Sequence, residues 1–143
     1  MAALVDTNVL VYRFDWRFPD KQQVATEVLR AGAGEGSVFV PHQAIVEFVA
    51  AATRVPVGGE PLLEPGDARR EAEELLSQFD VLFPDEELLR IALRGAAAYQ
   101  LSWSDAHLWA YAERFGLPEL ISEDFQHGRL YGTVEAVNPF LVQ

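Results

Sequence analysis

The stretch Ala2-Ala3-Leu4-Val5-Asp6-Thr7-Asn8, followed at once by Val9-Leu10-Val11-Tyr12, sets the architecture of this chain. A short apolar run bounded by polar residues suits a buried strand of a parallel sheet. The apolar residues that resume after Asn8 make Asp6-Thr7-Asn8 the turn where that strand stops and a helix begins. In open α/β sheets, ligands bind at the carboxyl ends of strands where the strand order reverses. Asp6 is expected at such an end.

The rest of the chain follows the same grammar. Lys21 to Ala31 reads as a helix with Val24, Val28 and Leu29 on one face, stopped by Gly32-Ala33-Gly34-Glu35-Gly36. Ser37 to Val40 is a second strand closed by Pro41, and a helix runs from Pro41 to about Thr53 with Ala44, Ile45, Phe48, Val49 and Ala52 as its core stripe. Val55 to Gly66 carries three prolines and three glycines and reads as an exposed loop. Asp67 then caps a helix to about Phe79, with Ala68, Ala72, Leu75, Leu76 and Phe79 facing inward. A brief strand, Val81 to Phe83, precedes a helix from Pro84 to near Gln100. Ser102 to Gly116 is a further helix with Leu108, Trp109, Ala112 and Phe115 inward, Leu120-Ile121 a strand, and Thr133 to Val137 the last strand. Strands alternating with helices predict one α/β domain across residues 1–143, a three-layer α/β/α arrangement around a mostly parallel sheet.

Composition narrows the chemistry. Half of the 143 residues are hydrophobic, enough for one real core. No apolar run is long enough to span a membrane and the start of the chain lacks a signal-peptide pattern, so a soluble, cytoplasmic protein is expected. Cysteine is absent, which removes disulfides, thiolate zinc sites and cysteine nucleophiles. With only His42, His107 and His127 as imidazoles, a metal would be held chiefly by oxygen, which favours hard cations. The net charge of −11 argues against broad attraction to nucleic acid and leaves room only for a local basic patch. Arg13, Arg17, Arg54 and Arg94 are candidates for it, with Trp16 or Trp103 for base stacking, although a solvated surface role for the arginines and a core or interface role for the tryptophans are the simpler readings. Lys21 is the only lysine. That removes the cation of phosphate-loop nucleotide binding and of receiver domains.

Four acids fall at element ends or on otherwise apolar helices. Taken singly, each has an ordinary explanation. Asp6 reads as a helix cap, Glu47 as the solvated edge of its helix, Asp105 as the partner of Ser102 in a capping box, and Asp124 as a loop acid. Together they say more, because a parallel sheet brings the ends of its central strands side by side, with the start of the Asp105 helix alongside. Gathered carboxylates repel one another and destabilise the fold unless a cation binds. Oxygen donors with room for water suit Mg²⁺ or Mn²⁺, which can activate water and stabilise a leaving oxygen in phosphodiester hydrolysis.

Asp6-Thr7-Asn8 at the first strand end, Glu47 in the Ala44 to Ala52 helix, Ser104-Asp105-Ala106 opening a late helix and Ser122-Glu123-Asp124-Phe125 after the next strand resemble the PIN domain over nearly the whole chain. In size and motif order the sequence is most similar to VapC-type toxins of bacterial toxin-antitoxin pairs. The resemblance implies a metal-dependent endoribonuclease that uses Mg²⁺ or Mn²⁺, cuts RNA, pairs as a homodimer and is silenced by a cognate antitoxin. It implies an acidic metal site of Asp6, Glu47, Asp105 and Asp124, with Asn8 and Ser122 orienting those carboxylates. Glu123 is an extra acid that either joins the site or faces solvent. A phosphatase of the haloacid dehalogenase kind needs a second acid where this chain has Asn8, and a lysine that is missing. The remaining alternative is a non-catalytic PIN-like module that binds RNA or protein.

Overall fold

The computed structural model describes residues 1–56 and 58–141. Strands β1 (Ala3–Val5), β2 (Val38–Pro41), β3 (Asp80–Leu82), β4 (Glu119–Ile121), β5 (Leu130–Tyr131) and β6 (Val134–Val137) form one sheet in the order β3-β2-β1-β4-β6-β5. Every neighbouring pair is parallel except β5 with β6. The predicted α/β class with a mostly parallel sheet is therefore what the chain adopts. All three β1 residues are buried, as a central parallel strand with covered faces requires. Each fully buried Leu, Val or Phe contributes about 1.5–3 kcal/mol of transfer free energy. Leu4, Val5, Val9, Leu10, Phe48 and Leu120, none of them exposed, centre the core on the stretch that opens the chain.

Helix α1 (Thr7–Tyr12) packs on both α2 (Pro19–Glu35) and α3 (His42–Thr53), α3 packs on α4 (Pro65–Gln78), and α5 (Glu86–Tyr99) packs along α6 (Trp103–Phe115). The contact between α5 and α6 is close because Gly95 leaves space for the Trp109 indole, whose Nε1 donates to the Tyr131 carbonyl at 3.0 Å. Among the described residues no helix is long and apolar enough to cross a membrane.

Several expected boundaries move. Helix α2 runs through Gly32 and Gly34 and stops only at Gly36, which adopts a left-handed φ of 66°. Gly32 is there because a Cβ would collide with the Val38 side chain, so it marks close helix–strand packing rather than a stop. Helix α4 begins at Pro65, two residues before the expected Asp67 cap, because proline suits the first helical position. The rest of the Val55–Gly66 segment has no strand or helix among its described residues; Val57 lies outside them. Leu76 and Phe115, expected inward, are exposed. The two-residue strand β5 was too short to leave a periodic signal. It turns back through Gly132, at φ 64°, and Thr133 into β6.

Candidate active site

The register pairs Val5 of β1 with Ile121 of β4, so Asp6 and Ser122 leave the sheet side by side. The Asp6 N–H continues the ladder by donating to the Ile121 carbonyl at 2.9 Å. This is the place where the chain order reverses, since β2 lies on one side of β1 and β4 on the other. Asp6 also caps α1, accepting from the Thr7 N–H at 2.6 Å. The ordinary reading of Asp6 as a helix cap is thus realised, and its other carboxylate oxygen is left for contacts across the strand ends.

Its second oxygen, Oδ2, accepts from the Ser122 hydroxyl at 2.6 Å and from Asn8 Nδ2 at 3.3 Å. Asn8 Nδ2 also reaches Asp124 Oδ2 and Ser122 Oγ, each at 3.2 Å, and the Asp124 N–H donates to Ser122 Oγ at 3.0 Å. One amide from α1 thereby joins the two carboxylates that follow β1 and β4. Burial pushes the Asp6 carboxyl up to about 7, against hydrogen bonds from Ser122 and Thr7 that favour its ionised form; the charges of Asp124 and Asp105 raise it further. Asp105 is also raised, first by burial, with Ser102 opposing and Asp124 adding to the rise. Ser102 caps α6 by accepting from the Asp105 N–H at 3.1 Å. Three of the four expected acids therefore feel one another's charge.

Glu47 stands differently. Gln43, one turn earlier on α3, donates from Nε2 to Glu47 Oε1 at 2.8 Å and to the Ser104 carbonyl at 3.0 Å. With its amide N–H groups so engaged, Gln43 Oε1 accepts from His107 Nδ1 at 2.5 Å. The Glu47 charge raises the affinity of His107 for its proton, but burial is the larger effect and lowers it. Gln43 hence links the α3 acid to the helix that carries Asp105. Sequence reasoning missed it, as a polar residue on an exposed face leaves no local signal of a partner 61 positions away. Among the described residues no three Asp, Glu or His side chains are gathered into a ready-made ligand cage.

Glu123 turns toward α1 and α2. It accepts from the Tyr12 hydroxyl at 2.7 Å and from Lys21 Nζ at 2.9 Å, which gives the sole lysine a partner. His127 Nδ1 accepts from the Asn138 N–H at 3.0 Å, a loop-fixing role. The four candidate arginines do not act as a set. Arg17 is held by Asp15 at 2.8 Å, Arg94 lies 3.6 Å from Glu87, Arg13 is half-buried and within the influence of Glu71 and Glu74, and Arg54 stands exposed after α3. Trp16 and Trp103 are both about half exposed, outside the core.

The donor set around Asp6 consists of carboxylate, amide and hydroxyl oxygen, with Thr7 Oγ1 and Asn8 Oδ1 buried and lacking a protein partner. Such a set fits a hard divalent cation with retained waters. The family model for the PIN domain matches residues 3–132, a span that takes in Asp6, Glu47, Asp105 and Asp124. The chain belongs to the PIN domain family. This PIN domain is also similar in fold to solved structures. A toxin-antitoxin complex from Klebsiella pneumoniae superposes with a TM-score of 0.70 at 20% identity, covering 99% of this chain and 100% of that one. VapBC2 from Rickettsia felis, bound to a DNA fragment from its promoter, gives 0.68 at 11% identity over 96% and 100%. FitAB bound to the IR36 DNA fragment gives 0.67 at 18% identity over 99% and 97%. Comparison of the sequence with curated proteins gives no match.

Proposed function

We propose that this PIN domain, as one unit across residues 1–143, is a Mg²⁺- or Mn²⁺-dependent endoribonuclease and the toxin of a toxin-antitoxin pair. The observation that carries the reading is the junction of Asp6, Asn8, Ser122 and Asp124, where a buried carboxyl is pushed up to about 7 beside two further acids. Titratable groups so strongly perturbed at a topological switch point are where chemistry is expected. Asp6, Glu47, Asp105 and Asp124 would hold the metal. Bound there, a divalent cation supplies Lewis acidity and lowers the pKa of a coordinated water.

The chain's own residues do the rest. Asn8 holds Asp6 and Asp124 to a common orientation through its amide, and Ser122 keeps Asp6 inclined toward its ionised, metal-binding form. Gln43 holds Glu47 while its other end fixes His107 with the proton on Nδ1. The toxin assignment draws on the toxin-antitoxin structures to which the fold is similar, and with it come a protein antitoxin, an RNA substrate, a homodimer and a cytoplasmic site of action.

Purified protein incubated with a mixed pool of structured RNAs, in Mn²⁺, in Mg²⁺ and in chelator, beside Asp6→Asn, tests this directly. Metal-dependent cutting that the variant lacks is the expected result. The second reading, a non-catalytic binding module, is favoured by the absence of a ready-made three-ligand cage among the described residues. A calorimetric titration with Mn²⁺ separates the two, since the module predicts neither cutting nor binding at Asp6.

A further inference from the structure

We propose that the loop Asp15–Phe18 is the lip on which single-stranded RNA lands beside the acid cluster, one base stacking on Trp16 and one phosphate meeting Arg17. The inference rests on the nuclease reading above and specifies how a chain of net charge −11 captures a polyanion. Asp15 is only 2% exposed, yet it lies in a surface loop. Its carboxylate accepts from the Arg17 N–H at 3.1 Å and from Arg17 Nε and Nη2 at 2.8 Å each, while its carbonyl accepts from the Phe18 N–H at 3.2 Å. A buried acid is thus used entirely to fix the conformation of the three residues that follow it.

Those three are Trp16, Arg17 and Phe18, with the two rings 58% and 46% exposed. Phe18 packs edge-on against Tyr12 at 5.8 Å with Arg17 and Lys21 over its ring, which leaves Trp16 as the more open aromatic surface of the loop. The lip adjoins the site: Asp15 and Phe18 line the same cleft of about 320 Å³ as Asn8, Tyr12, Glu123 and Asp124. Arg17 neutralises Asp15 and Lys21 neutralises Glu123, so the approach to the site is relieved of two charges that would repel phosphate. Arg17 uses Nε and Nη2 on Asp15, and its side chain stays half exposed with Nη1 making no hydrogen bond to the described residues. Exposed aromatic faces interleaved with an arginine are what a single strand requires, because stacking tolerates any base and the guanidinium tracks the backbone.

The test measures binding of a fluorescein-labelled, mixed-sequence, single-stranded oligoribonucleotide by anisotropy, in Mg²⁺ and in the cleavage-silenced Asp6→Asn background. Trp16→Ala is expected to weaken binding about five- to hundred-fold, and Trp16→Phe to recover most of the loss. Arg17→Ala should weaken binding and reduce the slope of log Kd against log salt by about 0.7, the signature of one lost phosphate contact on a single strand. Unchanged affinity in Trp16→Ala and Arg17→Ala overturns the inference while the nuclease reading stands. Equal weakness of Trp16→Phe and Trp16→Ala overturns it too, by making the indole a packing element. Failure of the parent chain to bind or cut any RNA overturns both.

Discussion

The Ser122 hydroxyl, at the end of β4, donates a 2.6 Å hydrogen bond to Asp6 Oδ2 at the end of β1, and this bond opposes the burial that governs the charge state of the site. It favours the carboxylate against a burial that favours the acid, and burial prevails. Ser122→Ala removes the opposing influence and should carry Asp6 above its value of about 7. A hydrogen bond to a charged group contributes about 1.5–3 kcal/mol, equivalent to roughly one or two pH units. The acidic limb of the pH–rate profile for RNA cleavage is expected to move up by about one unit. A limb that stays in place would show that the serine does not govern Asp6.

The raised Asp6 makes stability fall as pH rises. The carboxyl titrates near 7 in the fold and near its ordinary 3.8 in the unfolded chain, so between those values the folded state keeps a proton the unfolded state has released. Its contribution therefore declines from about pH 4 to about pH 7, by up to roughly 1.4 kcal/mol per pH unit, and is constant above. Urea unfolding followed by circular dichroism in chelator should show this decline, and Asp6→Asn should flatten it and match or exceed the parent at pH 8. Mn²⁺ at a hundred times its Kd should return about 2.7 kcal/mol to the parent at pH 8, and none through Asp6 in the variant.

Two glycines of α2 that look alike in sequence should respond oppositely to alanine. Gly32→Ala forces a methyl into Val38, and overpacking of this kind costs about 1–3 kcal/mol. Gly34 faces open space within the same helix, so Gly34→Ala should gain about 0.5–1 kcal/mol by restricting the unfolded chain. Thermal melts of the two variants check this, and shifts of the same sign would contradict the packing described for α2 against β2.

The contrast between these glycines shows what the sequence could carry. Asp6, Asn8, Ser122 and Asp124 were legible because a strand that ends in polar residues announces its own end, and adjacent parallel strands must end together. The α/β class followed from the same local pattern, whereas the order β3-β2-β1-β4-β6-β5 did not, since which strands become neighbours is decided by packing across the whole sheet. The extension of α2 was not legible, since a glycine that admits a neighbouring strand and one that breaks a helix are the same letter. Nor were the partners of Gln43 and Asp15. The first reaches His107 over 64 positions, and the second is buried by a loop whose shape no periodicity encodes. Glu123 was undecided for a related reason: its direction is set by Tyr12 and Lys21, more than 100 positions away in the chain.

Gln43 offers the sharpest test of the site beyond the strand ends. Its amide holds Glu47 on one side and His107 on the other, and it touches Ser104, the neighbour of Asp105. Outer partners that orient ligating side chains typically carry 10- to 100-fold of metal affinity or activity. Gln43→Ala is accordingly expected to lower both Mn²⁺ affinity and cleavage rate by about tenfold or more. The fold should change little, because the side chain is only partly buried at the surface end of α3. Gln43→Glu should be worse than alanine, because it sets a second carboxylate against Glu47 and withdraws the donor that holds it. If both variants bind Mn²⁺ and cut RNA as the parent does, Glu47 is a solvated helix edge and the metal site belongs to Asp6, Asp105 and Asp124 alone.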